Sequence, residues 1–303
     1  MNTQPNSLLF CHHCGRLPTE DVRLKRCVRC SVTLYCGREC QKADWPTHNG
    51  EMHHTVVDRL TELGYTVASS FTRLVQDWAD THAWSLAAMA KASIIAQRDQ
   101  ESMLTPPAIF VFEMETRKES LSNPALAFFV DHVGIMPLNT YLHDFGLDTA
   151  AYSNWHRAQP LREKQLKRYK NDPDFIGVYP ATFLVDRIIT IITFYPLFRY
   201  SPAELRFMDG PGAVIKNLGD LYALGGRMIA LGLPLRALDT SRPNAVVPGT
   251  LEKNTKGLWV WKPLFKDWST YTPGARIDFD LAVTHELESG LPPQTLTEII
   301  RVV

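Results

Sequence analysis

No cysteine follows Cys40, the last of six. A disulfide framework for the long C-terminal part is therefore excluded, and its core has to form from apolar side chains alone. Hydrophobic residues make up 45% and charged residues 21% of the 303 positions, an ordinary balance for a globular protein. Net charge is absent as well, with 32 Lys and Arg against 32 Asp and Glu. Phosphate contacts supply most of a nucleic-acid binder's affinity, so this balance argues against whole-chain binding to DNA or RNA. No apolar run is long and clean enough to cross a bilayer. The longest, residues 175–198, is interrupted by Asp186 and Arg187 and reads as buried core. The first ten residues lack the basic start and long apolar stretch of a secretory leader. An intracellular protein is expected, with nucleus and cytoplasm left open.

What is present is concentrated at the N-terminus. The cysteines read Cys11-x2-Cys14, Cys27-x2-Cys30 and Cys36-x3-Cys40, with His48 and the pair His53-His54 behind them. Clustered thiols without a leader point to a reducing compartment and metal binding. A tight C-x2-C turn brings two sulfurs to one side, and four such ligands close a structural zinc site. The six cysteines, His48 and one of the His53-His54 pair make eight ligands, which imply two structural zinc ions. Both sites are filled by protein ligands, which leaves no open position for catalysis. Such a short segment has little core, so the metal is expected to hold it folded.

The residues between the ligands narrow the type. The run Tyr35-Cys36-Gly37-Arg38-Glu39-Cys40-Gln41-Lys42-Ala43-Asp44-Trp45-Pro46-Thr47-His48 closely resembles the core of a MYND zinc finger. That family shows C-x2-C, C-x2-C, then Y-C-x3-C-Q-x3-W-x2-H and usually a last cysteine. The resemblance covers residues 11–54, about one-sixth of the chain. It implies interleaved sites, with Cys11, Cys14, Cys36 and Cys40 on one zinc and Cys27, Cys30, His48 and a last ligand on the other. The usual position of that ligand holds Met52, a poor zinc donor. An imidazole reaches further than a thiol, so His53, one residue on, is the expected eighth ligand, with His54 the alternative. His12 and His13, inside the first turn, read as exposed loop residues. Family members bind short proline-containing peptides that pair with a finger strand and touch the helix Gln and Trp. This implies a peptide contact at Gln41 and Trp45, beside a strand at residues 32–35. Trp45 also has a structural reading, as packing for the small module. Pro46 suits a first helical turn or a local break.

The remainder, residues 55–303, reads as one larger α+β domain whose fold the sequence leaves open, helical over 55–103 and mixed over 108–303. Phe71, Leu74, Val75 and Trp78 mark an amphipathic helix, and residues 84–96 a buried one. Strands are predicted at 108–113, 126–133, 183–194 (with a helix as the alternative there), 257–261 and 277–283, and helices at 161–169 and 218–231. The cations Arg162, Lys164, Lys167, Arg168 and Lys170 read as a solvated helix face. His82, His132, His143 and His156 are scattered and read as structural.

No catalytic motif emerges. His285-Glu286 is followed at the required position by Ser289, and neither Gly210-Pro211-Gly212 nor Gly225-Gly226 ends as a phosphate-binding loop does. Some MYND fingers sit in SET-domain lysine methyltransferases, but the Asn-His-Ser-Cys motif has no counterpart without a later cysteine. Finger, helix pair and strand-rich tail together are similar instead to fungal MYND proteins that lend no activity. The expected function is zinc binding and protein–protein interaction through a short peptide of a partner protein. The alternative is an enzyme in residues 55–303 with the finger as accessory. A DNA-binding regulator ranks third.

Overall fold

The computed structural model describes residues 11–19, 21–27, 33–48, 60–62, 68–96, 108–117, 123–144, 155, 158–186, 189–199, 211–239, 245–274, 276–284 and 287–299. The N-terminal part is a two-stranded ribbon, β1 (Lys25–Arg26) and β2 (Leu34–Tyr35), followed by helix α1 (Arg38–His48). Pro46 lies inside α1, neither at its first turn nor at a break. Proline there forfeits one backbone bond, and the helix continues for two more residues.

Four strands form the main sheet, in the order β4-β3-β5-β6. These are β3 (Ala108–Thr116), β4 (Phe128–Pro137), β5 (Phe175–Val185) and β6 (Ile189–Phe198). β3 and β5 are parallel, while the two outer pairs are antiparallel. Side chains alternate across the sheet, as the twofold strand repeat demands. Phe110, Phe112, Tyr179, Ala181 and Phe183 face one core, where Phe71, Val75 and Trp78 of α2 (Ala68–Thr81) and Met89 of α3 (Ala83–Ala96) cover them. Ile109 and Val111 face the other way, onto Leu138 and Tyr141 of α4 (Leu138–Asp144). Val178, Ile192 and Phe194 meet Leu161 of α5 (Gln159–Tyr169) on that same side. The crossover from β4 to β5 carries α4 and α5, which is how β5 comes to lie parallel to β3.

The back of α3 builds a second core with α6 (Pro211–Ala230), where Trp84, Ala88, Ile95, Leu221, Leu224 and Met228 meet. A helix shared by two cores must be apolar all round, which explains the alanine-rich run. The second core also takes in Leu235 of β7 (Leu235–Ala237) and Val246 of β8 (Val246–Lys253), which with β9 (Trp259–Pro263) make a three-stranded antiparallel sheet. Phe279 of α7 (Ile277–Thr284) and Leu296 of α8 (Pro293–Glu298) close it.

Three element readings are corrected. The apolar stretch 183–194 is two antiparallel strands, β5 and β6, and Asp186 between them takes φ +48. Residues 277–283 are helical, because Phe279, Ala282 and Val283 are the buried positions and their spacing is that of a helix face. Strand β4 begins at Phe128, after a 3-10 turn at Pro124–Leu126 whose first N–H groups are capped by Asn123. The strand β8 was missed. Pro248 and Gly249 do not interrupt it: Pro248 is paired with Leu235 of β7 and Gly249 with Pro263 of β9.

Candidate metal centre

The first C-x2-C turn is closed by its own backbone. Gly15 N–H donates to Cys11 O at 2.7 Å and Cys11 N–H to Arg16 O at 2.8 Å, with Gly15 at φ +71. The turn is then tied to β2: His12 N–H donates to Leu34 O at 2.8 Å, and Leu34 N–H donates to His12 Nδ1 at 3.0 Å. His12 is thus a half-buried clip and not an exposed loop residue, whereas His13 is exposed. The sulfurs of Cys36 and Cys40, at i and i+4 across the start of α1, turn toward the same point. Tyr35 Oη–H donates to Asp44 Oδ2 at 2.8 Å inside the protein and pins α1 against β2.

These constraints bring Cys11, Cys14, Cys36 and Cys40 together, their sulfurs all within 4.8 Å of one another. Cys14 and Cys36 are 3.7 Å apart and Cys36 and Cys40 3.5 Å. A tetrahedron of sulfurs about 2.3 Å from a zinc has edges of about 3.8 Å, so the cluster fits one closed structural site. Among the described residues no other group of this kind occurs.

Burial and hydrogen bonding act differently on Cys11, Cys36 and Cys40. Burial opposes the Cys11 thiolate, but backbone hydrogen bonds at Cys14, Cys36 and His13 outweigh it and bring its pKa to about 7. Burial pushes the Cys40 thiol well above the usual thiol range, and the neighbouring sulfurs of Cys36 and Cys14 add to this. Cys36 is raised by burial first as well. A divalent cation held by all four sulfurs would bind them as thiolates, with release of protons.

Cys27 stands apart from that cluster. It is fully buried, its sulfur accepts a hydrogen bond from Gln41 Nε2 at 3.6 Å, and its N–H donates to Thr33 O. Cys30, His53 and His54, and the side chain of His48, lie outside the described residues. Trp45 is half-buried and packs against the small core of Cys11, Cys27 and Tyr35. Its structural reading is therefore met by one part of the ring, while the rest stays accessible. Leu17, behind the first turn, packs on the cluster around Leu161 and Phe194 and joins the module to the larger sheet.

Residues 11–51 match the MYND finger family. They are a MYND finger. Among curated relatives, the SET domain and MYND-type zinc finger protein 6 of Schizosaccharomyces pombe is 45% identical over 65 residues, 22% of this chain and 14% of that protein. The human N-lysine methyltransferase SMYD2 is 44% identical over 46 residues, 15% of this chain and 11% of the relative. The SET domain-containing protein 14 of Caenorhabditis elegans is 32% identical over 66 residues, 20% and 15% of the two chains. The matched part is thus less than one-sixth of each of these relatives. No solved structure matches.

The MYND finger accounts for zinc binding, and such fingers generally mediate protein–protein interaction. Outside it, the helix cations Arg162, Lys164, Lys167, Arg168 and Lys170 make no ion pair among the described residues, and Arg168 lies over the ring of Tyr169. Lys91, fully buried in α3 with its ammonium over the Phe198 ring, was not singled out from the sequence. Nothing in an alanine-rich run distinguishes a buried lysine from one that faces water. Among the described residues no helix is long and apolar enough to cross a membrane.

Proposed function

We propose that this chain is an intracellular adaptor, divided at about residue 54, whose MYND finger holds two structural zinc ions and captures a short proline-containing peptide of a partner protein. The observation that carries the reading is the four-sulfur cluster of Cys11, Cys14, Cys36 and Cys40, which skips Cys27 in sequence. Cys27 is thereby left for a second zinc, with Cys30, His48 and His53 as its companions and His54 as the alternative last ligand. Gln41 and Trp45 are the proposed peptide contacts, supported by the half-exposed position of both on α1. Strand addition to β2 would have to use backbone other than that of Leu34, because His12 already occupies both of its polar groups.

Methyl transfer, carried in the names of several relatives, is not transferred to this chain. The aligned stretches are short, and no cysteine follows Cys40 to complete the Asn-His-Ser-Cys motif. The test of the adaptor reading is comparative capture. Trp45→Ala should lose the partners held by the intact protein while keeping its zinc. Equal capture by the two proteins would remove Trp45 from the binding face.

A further inference from the structure

We infer that Gln41 is a positioning residue for the second zinc, its side-chain amide holding the Cys27 thiolate from outside the coordination sphere. The inference rests on the two-zinc reading above. Gln41 Nε2 lies 3.6 Å from Cys27 Sγ, and that sulfur is fully buried. A thiolate removed from water needs donors in place of its hydration, since an unpaired buried charge is costly. Zinc also decides which way the amide faces. A free thiol could donate to Oε1, but a metal-bound sulfur only accepts, so Nε2–H must point at it.

The donor is held by rigid parts. Gln41 follows Cys40 on α1, and its N–H donates to Gly37 O at 3.2 Å. One turn later, Asp44 is fastened to Tyr35. Consecutive residues of a single turn thus carry a ligand of the first cluster and the donor to the second, which makes the spacing of the two metals a property of α1. The Oε1 atom has no partner among the described residues, which leaves it to accept an N–H from a docked peptide. Gln41 would then read the metal with one end of its amide and the peptide with the other, and the motif glutamine would serve both.

The full-length chain loaded with cadmium-113 in place of zinc tests this directly. A scalar coupling between the metal and a Gln41 side-chain amide proton is expected, and it requires no variant. Gln41→Glu keeps the length and the acceptor but loses the donor, and Gln41→Met loses both. In each, one of the two metals should be held about ten- to a hundred-fold more weakly against a chelator, the usual size of such an outer-shell loss. Lys42→Gln, on the solvent side of α1, should retain both. Two metals bound with no coupling to Gln41, or equal retention in Gln41→Glu and the parent, would overturn the role of Gln41 alone. A parent chain that binds a single metal would overturn the two-zinc reading together with it.

Discussion

Gly249 and Gly219 respond in opposite directions to the same substitution. A Cβ at Gly249 would lie 2.3 Å from Trp261 Nε1 and 2.4 Å from Lys262 O, and the indole is held there by its bond to Pro234 O at 3.0 Å. Backbone and a tethered ring cannot both retreat, so Gly249→Ala should cost about 1–3 kcal/mol, the scale of an overpacked site. Gly219 is exposed on α6 with nothing within 4 Å of its Cβ position. Gly219→Ala should stabilise by about 0.5–1 kcal/mol, through helix propensity alone. Denaturant midpoints of the two variants check both signs. Neither sign was legible in the sequence, where Gly219 stands between Leu218 and Asp220 and Gly249 between Pro248 and Thr250. The finger residues were legible, because ligand chemistry restricts residue type and spacing together.

Between α2 and α3 the joint is made by His82, fully buried, whose Nε2–H donates to Ala125 O at 2.8 Å. A carbonyl only accepts, so Nε2 carries the proton and Nδ1 is left as a buried acceptor without a partner. Burial lowers the His82 pKa from 6.5 to about 4, against the pull of the Ala125 carbonyl and with help from the Arg236 and Arg117 charges. The unfolded chain therefore takes up a proton that the folded chain refuses as pH falls from 6.5 to about 4. Stability should be unaffected by His82 above that window and decline through it by about 3 kcal/mol in total. His82→Gln should be less stable at neutral pH but lack this part of the slope, and the difference between the two melting curves across pH isolates it. An equal slope in both would remove His82 as the cause. At this scale apolar composition served well for α3 and periodicity for α2, where the spacing is unambiguous. It failed at Ile277–Thr284, where Ile277, Phe279 and Val283 have strand-like composition and only contact with α6 and β7 makes the run helical.

Across the whole molecule, two kinds of stabilisation lie side by side. The finger has a core of a few residues around its sulfurs, whereas the sheet and helices rest on large apolar clusters that contain no cysteine. Native mass measurement should find two zinc ions per chain. Their removal by a chelator should open residues 11–54 to proteolysis and leave the main thermal transition nearly in place, apart from the loss of the Leu17 contact. Loss of both parts in one transition would show that metal supports the larger core as well. The sequence by itself determined the zinc chemistry, the MYND type and a larger core free of cysteine, since each follows from which residues occur and how far apart they stand. Only the tertiary structure decided that Cys11 and Cys14 meet Cys36 and Cys40 past Cys27, that His12 closes Leu34, and that Gln41 reaches the Cys27 sulfur. It also decided that β5 runs beside β3 and that α3 serves two cores. These are choices of partner across long stretches of chain, and they are settled by packing and backbone pairing, which leave no local pattern to read.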